Sequence, residues 1–376
     1  MSDVVVTGMG VVSAYGRGVP ALLDGLATGR PPSVGASDDA ATRPIDRAVL
    51  DGAEPASWLA SAIDEALAEA RWPSRAPSPL LLLAAQAEAP PGEQNPLSAP
   101  NTVVAGARRW DRPLVVSHAC ASALFGIHLA ARLIRGGAHD AVLVAGVSVC
   151  NPYASESLRV VKAIGTAPSR PFDRARDGIL IGEGSGAVLL ERASAAAARG
   201  VTPLAELAAS VAQIGGRSSV ASDPEVVYAC MVRALDEAGA SGLDYVHAHA
   251  TGTVQGDEAE LQAVARLVAE RAWPAVSVSS HKGALGHLLH ASAFPGVAVA
   301  VSAVRDAVIP TTVGLREPVV IDGVDLPVEG SALRRDPPVE HVLVNAFGFG
   351  GNNASVLLRR IRPLVPPRTT ESPDLG

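Results

Sequence analysis

Short apolar runs alternate with alanine-rich stretches along most of this chain. The runs are bounded by Gly, Pro or Ser, and their lengths are typical of buried strands. They lie at residues 4–12, 80–85, 113–119, 141–147 and 186–191. The alanine-rich stretches at 58–70 and 121–137 have the length and spacing of helices, and the second ends at a Gly-Gly pair. Strands that alternate with helices predict an α/β fold built in layers.

The second half of the chain echoes the first. AVLVAG at 141–146 resembles HVLVNA at 341–346, and SGAVLLER at 185–192 resembles NASVLLRR at 353–360. Similar segments that recur in the same order predict two similar halves.

We predict a first half over residues 1–195 and a second over 196–360, with a seam near 193–203. Three further segments are rich in Pro, Ser, Gly and Ala. This composition predicts loops at 30–57 and 88–112 and a disordered tail at 361–376.

Composition excludes several classes of protein. No apolar run approaches the roughly 18–20 residues of a membrane helix, and the chain enters its first strand without a charged leader. We therefore expect a soluble, cytoplasmic protein that does not bind membranes. The three cysteines form no CxxC pair, so neither a disulfide framework nor a zinc site is indicated. The net charge of −7 argues against nucleic acid as a partner.

Cys120 is the candidate nucleophile because it lies where the run at 113–119 gives way to a helix. The helix macrodipole favours a thiolate there by only about 0.3–1 kcal/mol, which is less than one pKa unit. A usable nucleophile therefore needs a base or a hydrogen-bond donor nearby. Cys150 and Cys230 have no such context, and we interpret them as inert.

Two of the nine histidines, His249 and His287, lie in glycine-bearing turns that can offer a side chain to a pocket. The chain also contains 31 cationic residues, of which only Lys162 and Lys282 are lysines. A compact ammonium suits confined places that a planar guanidinium does not fit. Lys282 lies five residues before His287, whereas Lys162 has no evident role.

Six motifs in order identify a family. The segments HATGT, KGALGH and NAFGFGGNNAS are similar to the HGTGT, K-x-x-x-G-H and N-S-F-G-F-G-G-T-N motifs of β-ketoacyl synthases. The chain thus resembles these condensing enzymes of thiolase type, and is closest to ketosynthases of types I and II. In this chain the motifs lie at 4–13, 117–124, 169–191, 249–253, 282–287 and 345–355.

The resemblance implies a thiolase-like fold of two pseudo-repeated αβαβα halves. It implies that Cys120 takes an acyl group from the phosphopantetheine of an acyl carrier protein. It implies that His249 and His287 stabilise the enolate left when a malonyl thioester loses carbon dioxide. No metal or other cofactor is expected.

The resemblance assigns supporting roles to Lys282, Glu260 and Phe349, and we interpret Asp257 as structural. Lys282 and Glu260 form an electrostatic pair in the family. Phe349 gates the acyl site, and its backbone N–H joins that of Cys120 as an oxyanion donor; one such donor is typically worth about 2.7–4 kcal/mol of barrier.

Five positions depart from the family pattern, and the segment before Cys120 is short. These departures favour a ketosynthase of a type II polyketide or polyene pathway over a fatty-acid synthase. A chain-length-factor-like partner subunit and a non-decarboxylating acyltransferase remain alternatives. We expect a dimer, either of two copies or with a related subunit. The departing residues are Ala250, His290, Phe294, Pro295 and Asn352.

Overall fold

The structure is a computed structural model that describes residues 3–85, 102–165, 168–216, 220, 222–328 and 338–362. Its strands are β1 (Val4–Ser13), β2 (Gly16–Arg17), β3 (Thr42–Arg43), β4 (Leu80–Ala84), β5 (Thr102–Ala105), β6 (Arg108–Asp111), β7 (Leu114–Val116), β8 (Ala141–Ser148), β9 (Ile181–Gly182), β10 (Gly184–Arg192), β11 (Ala205–Ile214), β12 (Tyr245–His247), β13 (Val276–Ser279), β14 (Val324–Asp325), β15 (His341–Gly348) and β16 (Asn352–Arg359).

The helices lie between these strands, and two short 3-10 turns add to them at Arg47–Leu50 and Leu289–Ala291. The helices are α1 (Val19–Ala27), α2 (Pro55–Glu69), α3 (Ser122–Arg135), α4 (Pro152–Val160), α5 (Ala193–Ala198), α6 (Pro224–Glu237), α7 (Val254–Arg271), α8 (Lys282–Leu285) and α9 (Ala293–Asp306).

Two sets of strands with the same order form the main sheet. The first set runs β7-β4-β8-β10-β1, and the second runs β13-β12-β15-β16-β11, with β14 beside β13. The echoed segments therefore lie in equivalent strands, β8 with β15 and β10 with β16, which confirms the two similar α/β halves. The predicted boundary at 195/196 falls inside α5, which connects β10 to β11.

The two sets are not separate sheets. Strand β1 pairs antiparallel with β11 through Val5 with Glu206 and Val6 with Ala205. This short edge contact joins the halves into one sheet of twelve strands, counting β2 beside β1.

Helices cover the strands in layers. Helix α2 packs on the outer face of the first set, and α6 and α7 cover the second. Helices α3 and α9 lie in the middle, where each contacts strands of both halves. Helix α9 is buried at every position from Ala293 to Val304, as expected of a helix that is apolar all round.

The prediction of a loop over 88–112 is wrong for residues 102–111. Strands β5 and β6 form an antiparallel hairpin there, and Val103 and Trp110 pack with α2 residues such as Ile63. Residues 86–101 lie outside the described residues, as does 363–376, most of the predicted tail. The predicted strand over 113–119 ends at Val116, because the backbone then turns towards α3.

We searched the described residues for membrane-spanning segments. No helix among them is long and apolar enough to cross a bilayer.

Candidate active site

Cys120 lies in the tight turn between β7 and α3. Ala119 has a left-handed backbone with φ 48°, which is uncommon for a residue other than glycine. Ser122 holds this turn: its Oγ accepts the backbone N–H of His118 at 2.8 Å and donates to the carbonyl of Ala119 at 2.7 Å. These bonds fix Cys120 at the N-terminal end of α3.

Burial dominates the acidity of the Cys120 thiol. It raises the pKa to about 11, although the charge of Lys282 and the backbone N–H of Cys120 lower it. The modest help expected from the helix dipole is therefore outweighed by the loss of water around the sulfur. The thiol is protonated in the resting site and has to lose its proton as it reacts.

His249 lies in the loop between β12 and α7, and a carboxylate anchors that loop. The two oxygens of Glu260 accept the backbone N–H groups of His249 at 3.0 Å and Ala250 at 2.9 Å. Glu260 also accepts a bond from the Asn345 amide at 2.9 Å. The carboxylate thereby fixes the backbone that carries the His249 ring.

Asp257 anchors the next part of the same loop. Its carboxylate accepts the backbone N–H groups of Thr251 at 3.0 Å and Gly252 at 3.1 Å. It also accepts the N–H of Phe172 at 2.8 Å, which ties the loop to the segment 169–191. These contacts agree with the structural role expected of Asp257.

His287 follows α8, and its ring is held from one side. Its Nδ1 lies 2.9 Å from Ser292 Oγ, and its backbone N–H donates to the carbonyl of Leu180 at 2.7 Å. The Nε2 atom is buried and has no hydrogen-bond partner among the described residues. The ring centroids of His287 and His249 are 5.4 Å apart, at an interplanar angle of 83°.

Lys282 contacts the loop that carries His249, because its Nζ donates a hydrogen bond to the carbonyl of His249. Burial lowers its pKa to about 8, opposed by the charges of Glu260 and Cys120. No ion pair between Lys282 and Glu260 is found within the described ranges. The two residues act on the same loop instead, one through the His249 carbonyl and the other through the His249 N–H.

Phe349 lies at the tip of the β15–β16 hairpin. Gly348 pairs with Asn352 at the end of the hairpin, and Gly350 and Gly351 make the turn with φ 79° and 71°. Left-handed backbone of this kind favours glycine. A Cβ on Gly348 would lie only 3.0 Å from the Cys120 N, so the hairpin tip rests on the nucleophile turn.

One cavity of about 400 Å³ brings the predicted residues together. Cys120, His249, His287 and Phe349 all line it. Its lining combines apolar and polar side chains, and Lys162 belongs to it as well. The apolar residues include Leu158, Val161, Ala163 and Ile179, and the polar residues include Ser222, Thr251, Thr253 and Gln255.

The departing residues are accommodated by local packing. Phe294 is buried because Gly186 leaves room for it: a Cβ on Gly186 would lie 2.2 Å from the Phe294 Cβ. Pro295 lies in the first turn of α9, where its missing N–H costs nothing. His290 donates from Nε2 to the carbonyl of Val147 at 2.8 Å. Ala250 is buried beside Glu260.

Sequence reasoning missed several polar contacts of the site. These are the Ser292 contact of His287 and a hydrogen bond between His118 and Asn352. It also missed a buried line of side chains in which Tyr245 bonds His247, and His247 bonds His281. The partners in two of these contacts are 34 and 234 positions apart, so no local pattern records them, and the other two contacts join nearby polar residues that no motif marks.

Comparison with known protein families shows to which family this chain belongs. A family model for the β-ketoacyl synthase N-terminal domain matches residues 112–196, and one for its C-terminal domain matches 204–316. The two matches together span more than half of the chain and include Cys120, His249 and His287. The chain belongs to the β-ketoacyl synthase family. Phe349 lies beyond both matches.

Curated members of the family align with this β-ketoacyl synthase-family chain over about two thirds of its length. It is 39% identical over 259 residues to 3-oxoacyl-(acyl-carrier-protein) synthase 2 of Rhizobium meliloti (strain 1021), covering 64% of this chain and 59% of that protein. It is 35% identical over 259 residues to a mitochondrial 3-oxoacyl-(acyl-carrier-protein) synthase of Arabidopsis thaliana, covering 65% and 55%. The alignments thus span less than two thirds of these relatives.

Solved structures match this family member over nearly its whole length. A β-ketoacyl synthase from Burkholderia phymatum STM815 has 26% identity and a TM-score of 0.77, covering 96% of this chain and all of that one. The ishigamide ketosynthase/chain length factor has 23% identity and a TM-score of 0.80, covering 96% and 99%. Both likenesses confirm the thiolase-like fold of ketosynthases.

Proposed function

We propose that this chain is a β-ketoacyl synthase that condenses an acyl thioester with a malonyl thioester, with loss of carbon dioxide. One observation carries the proposal: the buried Nε2 of His287 has no partner among the described residues, and His287 lines the same cavity as Cys120 and His249. An unsatisfied buried nitrogen destabilises the fold. Its position is explained if a substrate oxygen binds there during turnover.

In the first step the Cys120 sulfur attacks the carbonyl of an acyl thioester carried on phosphopantetheine. The bond from the acyl carbon to the carrier sulfur breaks, and the thiol proton of Cys120 passes to the departing carrier thiolate. The backbone N–H groups of Cys120 and Phe349 are the proposed donors to the oxyanion. Their support is the close approach of Gly348 to the Cys120 N.

In the second step a malonyl thioester replaces the free carrier. Its carboxylate leaves as carbon dioxide, and the electron pair moves onto the thioester oxygen as an enolate. His249 and His287 donate N–H bonds to that oxygen. The enolate carbon then attacks the acyl carbon on Cys120, a carbon–carbon bond forms, and the sulfur leaves and regains a proton.

The charge state of the histidines fits this role. Burial lowers the pKa of His249 and of His287 well below the usual value, and the charge of Lys282 lowers both further. Both rings are therefore neutral near pH 7, and each carries one N–H. When the Ser292 hydroxyl donates to Nδ1 of His287, the ring hydrogen lies on Nε2 and points to the cavity.

We also propose that an acyl carrier protein delivers both substrates and that the reaction needs no metal or other cofactor. The lining of the cavity supports the first part, because its apolar side chains suit an acyl chain and its polar side chains suit the amides of phosphopantetheine. The cytoplasmic location and the choice between a polyketide and a fatty-acid pathway stay predictions.

A dimer is the proposed assembly. Strand β7 is an edge of the main sheet among the described strands, and its Leu114 and Val115 are each 51% exposed. An exposed apolar edge strand is a template for pairing with another chain, and a two-fold pair is the common solution. The partner is a second copy or a related subunit; light scattering on the chain alone, and then with a co-expressed synthase-like subunit, distinguishes the two.

Intact-mass measurement with acyl and malonyl carrier proteins tests the function. The wild-type protein should gain the acyl mass, release carbon dioxide from the malonyl carrier and form a β-ketoacyl product. His249→Ala and His287→Ala should still gain the acyl mass but lose decarboxylation, whereas His139→Ala, an exposed control, should behave as the wild type.

The remaining alternatives give different results in the same assay. Acyl transfer without decarboxylation in the wild type would indicate an acyltransferase. Absence of the acyl adduct, together with activation of a related synthase, would indicate a partner subunit of chain-length-factor type. Decarboxylation at the wild-type rate in both histidine variants would contradict the proposed roles.

A further inference from the structure

Asn352 bridges the proposed gate and the nucleophile turn. Its Nδ2 donates to the carbonyl of Phe349 at 2.6 Å, and its Oδ1 lies 2.9 Å from Nδ1 of His118. His118 and Asn352 are separated by 234 positions in sequence and belong to different halves. Among the described hydrogen bonds, Asn352 is the only residue whose side chain bonds to both loops.

The geometry determines the direction of each bond. A carbonyl only accepts, so the Asn352 atom that faces Phe349 has to be the NH₂ nitrogen. The atom that faces His118 is then the amide oxygen, which also only accepts. Nδ1 of His118 therefore carries a hydrogen, and the bridge runs from His118 through Asn352 to Phe349.

Neighbouring contacts hold the His118 ring in position to make this bond. The ring stacks on Phe125 with centroids 3.9 Å apart and planes 16° apart. Its backbone N–H is bonded to Ser122 Oγ at 2.8 Å, within the turn that carries Cys120. The bridge thus begins at a side chain that is fixed on both sides.

Phe349 has few other restraints. It is partly buried and packs on an apolar cluster that includes Leu158, Ile179 and Leu289, and the two following glycines make its backbone easy to move. Any movement of Phe349 away from this cluster shifts its carbonyl and breaks the bond from Asn352.

We propose that His118 and Asn352 are positioning residues that hold Phe349 closed over the cavity and thereby limit the size of the acyl group that reaches Cys120. This inference rests on the proposed acyl transfer. It assigns acyl-size selection to a hydrogen-bonded pair outside the predicted catalytic set. Loss of either bridge residue should make opening of Phe349 easier, which favours long acyl groups more than short ones.

Self-acylation with hexanoyl and dodecanoyl N-acetylcysteamine thioesters tests the pair. His118→Ala and Asn352→Ala should each raise the dodecanoyl-to-hexanoyl rate ratio by about five-fold, the range that one neutral hydrogen bond supplies. The double variant should show no further rise, because either change alone breaks the bridge.

Two matched variants separate the bridge from simple packing. His118→Asn keeps an N–H donor near the position of Nδ1 and should retain the wild-type ratio. Phe125→Leu replaces the ring stack with an apolar contact and leaves both bridge residues in place, so it should change the ratio much less than either alanine variant. Unchanged ratios in both alanine variants, or additive effects in the double variant, would overturn the inference.

Amide hydrogen exchange of residues 348–352 gives a second measurement that needs no substrate. His118→Ala should speed exchange there, and His118→Asn should not. If the wild type accepts neither thioester, the proposed function fails. The exchange measurement still shows whether His118 restrains the hairpin tip through Asn352. Equal exchange in wild type and His118→Ala would contradict it.

Discussion

The hydroxyl of Ser292 lies 2.9 Å from Nδ1 of His287, while Nε2 of the same ring has no hydrogen-bond partner among the described residues. Ser292 precedes α9, whose residues are buried between the two halves. The core of the protein therefore orients one of the two proposed enolate donors, with no acidic residue involved.

Ser292→Ala should lower decarboxylation by about ten-fold while self-acylation stays close to the wild-type rate, because a ring that can turn donates less well to the enolate. Release of labelled carbon dioxide measures the effect. Ser302→Ala removes a hydroxyl from the same helix away from the site and serves as the control. An equal loss in both variants would indicate general damage to α9 and not an effect on His287.

Cys120→Ala should abolish acylation, since Cys120 is the only cysteine of the three that lines the cavity with both histidines. Cys150→Ala and Cys230→Ala should keep it. Intact mass after incubation with an acyl thioester reports the outcome. An acyl adduct on Cys120→Ala would show that another residue is the nucleophile.

Lys282 should make stability depend on pH. Burial lowers its pKa to about 8 from an ordinary value of 10.5, so between these values the unfolded chain binds more protons than the folded one. The free energy of unfolding from this group therefore rises with pH across that window. Below about pH 8 the buried ammonium contributes its full destabilisation.

Urea denaturation of wild type and Lys282→Met at several pH values measures this. The wild type should gain stability relative to the variant as the pH rises from about 8 to 10.5. Lys162→Met replaces the other lysine, which is exposed, and serves as the control for removing a lysine. A flat difference for Lys282→Met would mean that Lys282 titrates as an ordinary lysine.

Tyr245→Phe should lower the free energy of unfolding by about 1–3 kcal/mol, because two buried polar groups lose a partner. The Tyr245 hydroxyl lies 2.8 Å from Nδ1 of His247 and 2.7 Å from Oγ of Ser279. Tyr153→Phe, at an exposed position, should change it little. Thermal or urea unfolding measures both variants. Equal stability of Tyr245→Phe and Tyr153→Phe would show that the hydrogen bonds of the Tyr245 hydroxyl do not stabilise the fold.

Charges on the edge strand should separate the proposed dimer. Leu114→Asp combined with Val115→Asp places two carboxylates on an apolar edge, which opposes pairing with another chain. Light scattering should then report a monomer. Val160→Asp adds a charge at an exposed apolar position away from β7 and should leave the dimer intact. A dimer that survives the double change would have to form through another surface.

Local patterns predicted much of this fold. The echo between 141–146 and 341–346 corresponds to β8 and β15, which hold equivalent places in the two strand sets. Buried strands need apolar residues whatever they pair with, so their positions can be read from the sequence. The hairpin of β5 and β6 was missed because its stability comes from packing on α2, a contact with distant residues.

The motifs likewise singled out Cys120, His249 and His287, and the structure places all three on one cavity. Their sequence contexts are turns beside strands and helices, which local residues determine. Lys282 and Glu260 were expected to support the site electrostatically, and their charges act on each other across the buried site. The contacts that each makes with His249, through its carbonyl and its N–H, come only from the structure.

What the sequence by itself determined is the family, the two-fold repeat and the candidate reactive side chains, because these depend on residue type and order. Only the tertiary structure decided how those side chains behave. Burial raises the pKa of Cys120 to about 11, and the bond between His118 and Asn352 joins residues 234 positions apart. Desolvation and contacts between the two halves arise only when the halves pack together, so no local pattern records them.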